Sequence, residues 1–277
     1  MPLFITPLTL PANGPLWIDL SGITPDRLAD LSLSQIERLP LLADGRASEF
    51  GLLFSANRST DGSDGAIECV GDFSRVHRIG AKMTIGTIVV QGDAGRHAGE
   101  AMTGGTLTIT GDAGDWLAAE MTGGTLRVGG RAGDNVAGAL PGSRAGMQGG
   151  VVVIAGDVGC LAGARMRRGM LAIGGDCGAG VAFEMRAGTA LVAGRIGENP
   201  CLGMKRGTLI ALASIPALSP TFQRGSVWSP TFMPLLANRL ARAHFQPAKS
   251  AGDLCQGKWQ QWHGDTLYGG RGEVFHR

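Results

Sequence analysis

Through the middle of the chain the apolar positions recur every 19 residues. Met83, Met102 and Met121 stand 19 apart, and after one longer interval Met147, Met166, Met185 and Met204 do the same. Three residues after each Met comes a glycine: Gly86, Gly105, Gly124, Gly150, Gly169, Gly188 or Gly207. Five positions after the Met stand Ile88, Leu107, Leu126, Val152, Leu171 and Leu209. Seven after it stand Val90, Ile109, Val128, Ile154, Ile173 and Val192. These alternate with polar or small neighbours, which is the period of a strand and not of a helix. A glycine pair then closes each unit, as in Gly92/Gly95, Gly111/Gly114 and Gly175/Gly178. Self-similarity at a fixed period marks a solenoid. Nineteen is not a multiple of six, and Gly-Gly-x-Gly-x-Asp is absent, which excludes the hexapeptide helix and the calcium-binding roll. The pattern predicts an all-β chain, a single-stranded β-helix of 19-residue coils with strands about 4.8 Å apart and small α/β caps at both ends.

Three regions follow. Residues 1–66 are the least repetitive and read as an N-terminal cap. Thr24-Pro25-Asp26 has the form of a helix N-cap followed by Pro, and Ser32-Leu33-Ser34-Gln35 that of a capping box, so two short helices are expected. Residues 67–212 are the glycine-rich β-helix, with Ile67 to Asp72 as a degenerate first coil. Residues 213–277 leave the repeat and carry Trp228, Trp259 and Trp262, with a helix expected after Pro234 through Leu235, Leu236 and Leu240. This is the other cap or a docking arm. An insertion of seven residues, Leu140 to Gly146, separates the third and fourth Met-led coils; a loop of that size is a natural partner contact.

Composition fits a narrow coil. Forty-six glycines and one tyrosine suit a backbone that turns several times per repeat and needs positive φ, where glycine alone is free of Cβ strain. The methionines read as fillers of an inner corner, not as a soft-metal ladder. A net charge of +2 gives no nucleic-acid footprint. The start of the chain lacks a basic n-region, and the apolar run from Leu209 to Leu218 is too short to span a bilayer, so a cytoplasmic protein is expected. Cys69, Cys160, Cys177, Cys201 and Cys255 form no Cys-x-x-Cys pair and read as reduced thiols.

The search for chemistry finds no metal-ligand spacing among the scattered His77, His97, His244, His263 and His276. It finds no nucleophile elbow and no phosphate-binding loop either. No catalytic and no metal-binding residue is assigned. The recurring Gly-Asp (Asp93, Asp112, Asp157, Asp176) reads as a turn-stabilising carboxylate, since Arg131 and Arg195 take the same offset elsewhere. One asymmetry stands out. The residue after the Met is Thr84, Thr103, Thr122 and Gln148 in the first coils, then Arg167, Arg186 and Lys205, with Arg168 and Arg206 at the next offset. The row is either a solvated face, with Glu184 and Glu198 as partial neutralisers, or a patch for an anionic partner. Leu140, Arg144, Trp228, Trp259 and Trp262 are the candidate interface residues. The aromatics of the repeat region, Trp116 and Phe183, read as isolated.

The run Gly92-x-x-Gly95-x-x-x-Gly99 and its relative Gly156-x-x-Gly159-x-x-x-Gly163 resemble the glycine repeats of the last domain of glutamate synthase. They also resemble those of the glycine-repeat subunit of formylmethanofuran dehydrogenase and of its bacterial relative, the formyltransferase/hydrolase complex. The flanks choose the latter pair: Leu8-Thr9-Leu10, Pro15-Leu16, Ile23-Thr24-Pro25-Asp26, Ile36-x-x-Leu39-Pro40-Leu41 and Phe50-Gly51, and then Ala251-Gly252-Asp253 and Gly270-x-Gly272-Glu273. A glutamate synthase is several times longer and begins with an amidotransferase Cys, where this chain has Met1-Pro2. The few Lys and many Arg and Ala favour the bacterial form.

The resemblance implies a non-catalytic subunit of a one-carbon complex for formaldehyde oxidation. In that complex, partner chains move formyl from formyl-tetrahydromethanopterin to a methanofuran-type carrier bearing glutamates, and hydrolyse it to formate. It implies no cofactor on this chain; the carrier and metal ions belong to an amidohydrolase-like subunit, a formyltransferase subunit and a third partner. The alternatives are the glycine-repeat subunit of an archaeal molybdenum or tungsten formylmethanofuran dehydrogenase, a stand-alone β-helix enzyme acting on a polysaccharide or acyl substrate, and a glutamate synthase-like structural domain. Membrane and nucleic-acid partners are not expected.

Overall fold

The structure, a computed structural model, describes residues 1–8, 14–59, 65–245 and 254–277. Of the flank motifs, Thr9, Leu10 and Ala251 to Asp253 lie outside the described residues. The architecture is mostly β and β-helix-like. In chain order the N-terminal elements are β1 (Leu3–Pro7), β2 (Ile18–Asp19), α1 (Pro25–Leu28), α2 (Leu33–Glu37), β3 (Pro40–Ala43), β4 (Arg46–Glu49), α3 (Phe50–Leu53) and β5 (Phe54–Arg58). Then come β6 (Ala66–Val70), β7 (Val76–His77), β8 (Thr87–Gln91), β9 (Thr106–Ile109), β10 (Thr125–Val128), β11 (Gln148–Ile154), β12 (Arg168–Ile173), β13 (Thr189–Val192) and β14 (Arg206–Ala211). The chain ends with β15 (Gln223–Trp228), α4 (Met233–Arg242), β16 (Trp259–Gly264) and β17 (Arg271–His276).

One 13-stranded sheet runs β15-β16-β17-β14-β13-β12-β11-β10-β9-β8-β6-β1-β5, and a four-stranded sheet runs β4-β3-β2-β7. The long sheet is parallel where the sequence repeats. Leu107 lies against Leu126 and Ile109 against Val128. Ile154 lies against Ile173, and Ile173 against Val192. Between β10 and β11 the step lengthens, with Leu126 against Val152, because residues 140–146 intervene. The degenerate unit at Ile67 pairs with Ile88, a step of 21 residues where the later coils take 19. A second line of parallel bridges joins Phe73, Ala94, Ala113, Ala132, Val158, Cys177 and Ile196 on another side of the stack.

The core follows the period. Leu107, Ile109, Leu126, Ile154, Leu171, Ile173, Val192 and Leu209 are fully buried, and so are all seven repeat methionines. The long, unbranched Met fills the corner just before the backbone turns into the next strand. Glycine recurs where adjacent repeats approach most closely. A Cβ on Gly95 would come within 2.6 Å of the Val76 carbonyl oxygen, and Gly124, at φ +85°, could take one only at 2.8 Å from the Gly105 oxygen.

Positive φ is not reserved for glycine, and here the structure corrects the compositional reading. Arg78, His97, Trp116, Asn135 and Leu161 all adopt left-handed φ between 59° and 62°, a conformation costing roughly 1–2 kcal/mol for a residue with a Cβ. Stacking offsets that cost, since each left-handed N–H finds a carbonyl one repeat on. His97 donates to Asp115 O at 2.9 Å, Trp116 to Asp134 O at 2.8 Å and Leu161 to Ala179 O at 2.8 Å. No single repeat could hold this backbone alone.

Both ends depart from the repeat. At the N-terminal end, β1 pairs parallel with β6 and antiparallel with β5, so the first repeat edge is covered. Among the described residues three short helices form where two were expected. Ser32 and Gln35 make the reciprocal capping box of α2, whereas Thr24 occupies the N-cap of α1 without a side-chain hydrogen bond. At the other end β17 adds a further parallel strand to β14, and β16 and β15 continue antiparallel. Helix α4 starts with Pro in its first turn, as expected, and buries Met233, Leu236 and Leu240. It packs over a second apolar core, formed outside the stack by Val153, Met170, Ala172, Leu191 and Ile210 with Phe245, Leu254, Trp259 and Phe275.

Candidate functional site

The cationic row is real in three dimensions. Arg167 N–H donates to Met147 O, Arg186 to Met166 O and Lys205 to Met185 O, each at 2.8 Å, so the three residues stand one above another at one corner. Beside them Arg168 pairs across the sheet with Gln148, and Arg206 with Arg271 of β17. Arg271 thus extends the row by one strand, a contact that no 19-residue period could reveal. Arg186 is half-buried and the other five are exposed. Among the described residues none of the six makes an ion pair. The nearest engagement is Lys205 Nζ, 6.0 Å above the Tyr268 ring. Glu184, expected to temper the row, is held by Arg165 at 2.8 Å instead.

The insertion at residues 140–146 is tied to the stack. Leu140 N–H donates to Glu120 Oε1 at 3.2 Å, and Arg165 Nη1 to Ser143 O at 3.1 Å; Leu140 is half-buried and Arg144 exposed. The three C-terminal tryptophans divide. Trp228 is 37% exposed and its indole N–H donates to Gln261 Oε1 at 2.9 Å. Trp262 is half-buried, donating to His276 Nε2 at 3.0 Å. Trp259 is only 1% exposed and belongs to the core under α4, with Arg277 stacked 4.7 Å from its ring centre. Its assignment as an interface anchor is corrected: the chain's own C-terminal segment covers it.

The Gly-Asp carboxylates act between repeats. Asp93 Oδ1 accepts the N–H of Asp112, Asp112 that of Arg131, Asp157 that of Asp176 and Asp176 that of Arg195, each at 2.7 Å. The aspartate turned toward the next coil satisfies an otherwise bare turn N–H. Asp176 is held below the ordinary carboxylate range chiefly by that backbone bond and then by the Arg195 side chain.

A cluster at the N-terminal end escaped the sequence reading. Trp17 stacks on His77 with ring centres 3.6 Å apart, and His97 lies parallel to Trp116 at 6.2 Å, so Trp116 is not isolated. His97 Nδ1 approaches Glu100 Oε2 to 2.7 Å, while Arg78 bridges Asp19 at 3.3 Å and Glu100 at 3.7 Å. The His97 ring is the main cause holding the Glu100 carboxyl below its usual range, with Arg78 assisting against the opposing effect of burial. Burial pushes His77 down, and its Nδ1 accepts the Arg96 N–H at 2.8 Å. His77 and His97 occupy different offsets, one residue out of step, which is why the period hid their proximity. Trp17, from outside the repeats, completes the pile.

Among the described residues no group of three or more His, Cys, Asp or Glu is placed to hold a metal ion. All five cysteines are free thiols. Burial pushes the Cys69 and Cys177 thiols up to about 12. Among the described residues no helix is long and apolar enough to cross a membrane.

No family model matches the sequence, and no curated protein matches it. A solved structure does: the formyltransferase/hydrolase complex (FhcABCD) from Methylorubrum extorquens, in complex with methylofuran. One of its chains is 37% identical to this one, with a TM-score of 0.87 over 100% of this chain and 99% of that chain. Likeness of that depth over the full length of both chains shows that this protein belongs to the family of formyltransferase/hydrolase complex subunits.

Proposed function

We propose that this chain is the non-catalytic scaffold of its complex, the glycine-repeat subunit, built as one β-helix of 19-residue coils. Residues 1–66 and 213–277 serve as caps, and residues 67–212 as the glycine-rich stack. In this reading its partners transfer formyl from formyl-tetrahydromethanopterin to a methanofuran-type carrier and hydrolyse it to formate. The carrier and the metal ions are held by those partners, an amidohydrolase-like chain, a formyltransferase chain and a third subunit, in the cytoplasm. The observation that carries the proposal is the full-length likeness to a chain of that complex. The scaffold role draws support from how the reactive side chains are used. The repeat aspartates staple neighbouring coils, and Trp17 stacked on His77 with Asp19 paired to Arg78 ties the cap to the first repeats, where His97 and Glu100 engage each other. Side chains so engaged serve stacking before chemistry.

The cationic row of Arg167, Arg168, Arg186, Lys205 and Arg206 is the candidate contact for an anionic surface, and docking of an acidic partner chain is favoured over a glutamate-bearing carrier. With Arg271 these make six cations, none in an ion pair among the described residues, and their mutual repulsion is a cost that an anionic partner relieves. Two measurements test the proposal. The purified chain alone should show neither formyl transfer nor hydrolysis; activity without partners overturns the scaffold role. The triple change Arg167→Glu, Arg186→Glu and Lys205→Glu, made in the assembled complex, should release a partner chain. Loss of carrier from an intact complex would assign the row to the carrier instead.

A further inference from the structure

The outward side of the stack that carries the left-handed residues changes character along its length. At the N-terminal end it shows Arg78, His97, Glu100 and Trp116, bound to one another by the contacts above. Beyond the insertion Leu161 takes the position of His97 and Trp116, Phe183 and Leu202 take that of Glu100, and the turn after β16 adds Tyr268. Leu161 is 38% exposed, Leu202 41% and Tyr268 47%. Phe183, half-buried, and Leu202 stack at one offset, and Leu161 stands three residues earlier in the turn of the preceding repeat, so the column is staggered. Leu161 leans over Gly180, where an added Cβ would meet its Cδ2 at 2.8 Å, and the Tyr268 ring stands 3.8 Å from the Cβ position of Gly203. Backbone bonds fix the order, with Arg165 N–H on Phe183 O at 2.7 Å and Glu184 N–H on Leu202 O at 2.8 Å.

We propose that this column of Leu161, Phe183, Leu202 and Tyr268, edged by Arg167, Arg186 and Lys205, seats a segment of another subunit whose aliphatic side chains are flanked by carboxylates. The inference rests on the reading that the chain works inside a complex. Its chemistry is local. Large apolar side chains left exposed together mark a contact surface, and the border carries cations left unpaired among the described residues. Of the carboxylates beside the column, Glu184 is engaged by Arg165, and the buried Asp265 accepts the N–H groups of Gly203 and Leu267. A second copy of this chain is a poor occupant, because it brings the same set of cations to the seat a second time. Three steps at strand spacing give a column roughly 14 Å long, which two to three turns of a helix at 5.4 Å per turn would cover. The insertion, bonded to Arg165 through Ser143 O, closes one end of the seat.

The test is co-expression of the full chain with the other subunits of its complex. The double change Leu161→Glu and Leu202→Glu should lower retention of one partner subunit at least tenfold. Leu52→Glu, at a leucine 68% exposed in the N-terminal region, should leave retention unchanged. Retention of every subunit by a folded double variant overturns the proposal. A photo-crosslinker at position 202 of the otherwise unaltered complex covers the case in which the double variant does not fold. A crosslink to an acidic segment of another subunit supports the seat; a crosslink only to a second copy, or none in an intact complex, overturns it. If the unaltered chain does not assemble at all, the scaffold reading falls as well; if it assembles and the double variant does too, only this inference falls.

Discussion

Strands β8 to β10 and strands β11 to β14 share one inner face and differ completely on the outer one. Inward, both series stack fully buried aliphatics five and seven residues after each Met. Outward, six residues after the Met, the first series has Val89, Thr108 and Arg127, all half-buried. The second has Val153, Ala172, Leu191 and Ile210, buried beneath α4 and its neighbours. The boundary is marked by Arg127, whose Nε donates to Ala243 O at 3.0 Å, at the C-terminal end of α4. A cation there meets the negative end of the helix. A repeat therefore fixes what must be common to all rungs, and the deviations from it show where the rest of the chain attaches.

The largest expected effect breaks that contrast directly. Leu191→Lys should destabilise the protein by more than about 3 kcal/mol, because it buries a charge under α4. Thr108→Lys, at the same offset in the first series, should stay within about 0.5 kcal/mol. Chemical denaturation of the two variants decides, and equal losses would mean that the outer faces are not distinct. Next comes the shared inner face, where Ile154→Ala should cost roughly 2–5 kcal/mol since the flanking rungs cannot collapse into the gap. Asp157→Ala removes one staple from an exposed turn and should cost about 1 kcal/mol or less. A reversal of that order would make the aspartates, not the aliphatics, the main support of the stack.

The smallest effect is the pH response of the N-terminal cluster. His77 has its pKa pushed below 6.5 by burial, so the unfolded state binds the extra proton first. The stability from neutral His77 is complete above about 6.5 and declines as pH falls toward the folded value. Glu100, held below its usual 4.5 by His97, adds a second loss at lower pH, as the carboxylate is protonated. Thermal midpoints measured across mildly acidic pH should fall for the parent, and fall less for His77→Gln. A parent curve with no acid dependence would show that the cluster does not lock the cap.

The inner face was legible because it needs only alternation and spacing: Leu107, Ile154 and Val192 announce themselves by position. The outer core was not. Leu191 and Ile210 become core residues only because α4 returns to cover them from a distant part of the chain. Trp259 was misplaced for the same reason, since an indole carries no mark of whether its own chain or another will bury it. The left-handed turns at His97, Trp116 and Leu161 leave no trace in the sequence because their support comes from hydrogen bonds to the adjacent rung. Within the candidate site, the row from Arg167 to Arg206 followed from the period, whereas Arg271 joined it through β17.

The central claim is that this chain exists as part of a multi-subunit formyl-transferring complex. Purification from its native host under gentle conditions, with mass spectrometry of the co-eluting chains, tests it most directly. The account predicts one species in which this chain co-elutes with subunits resembling those of the formyltransferase/hydrolase complex. Elution of the chain alone, at the mass of a monomer or of a simple homo-oligomer, would contradict it.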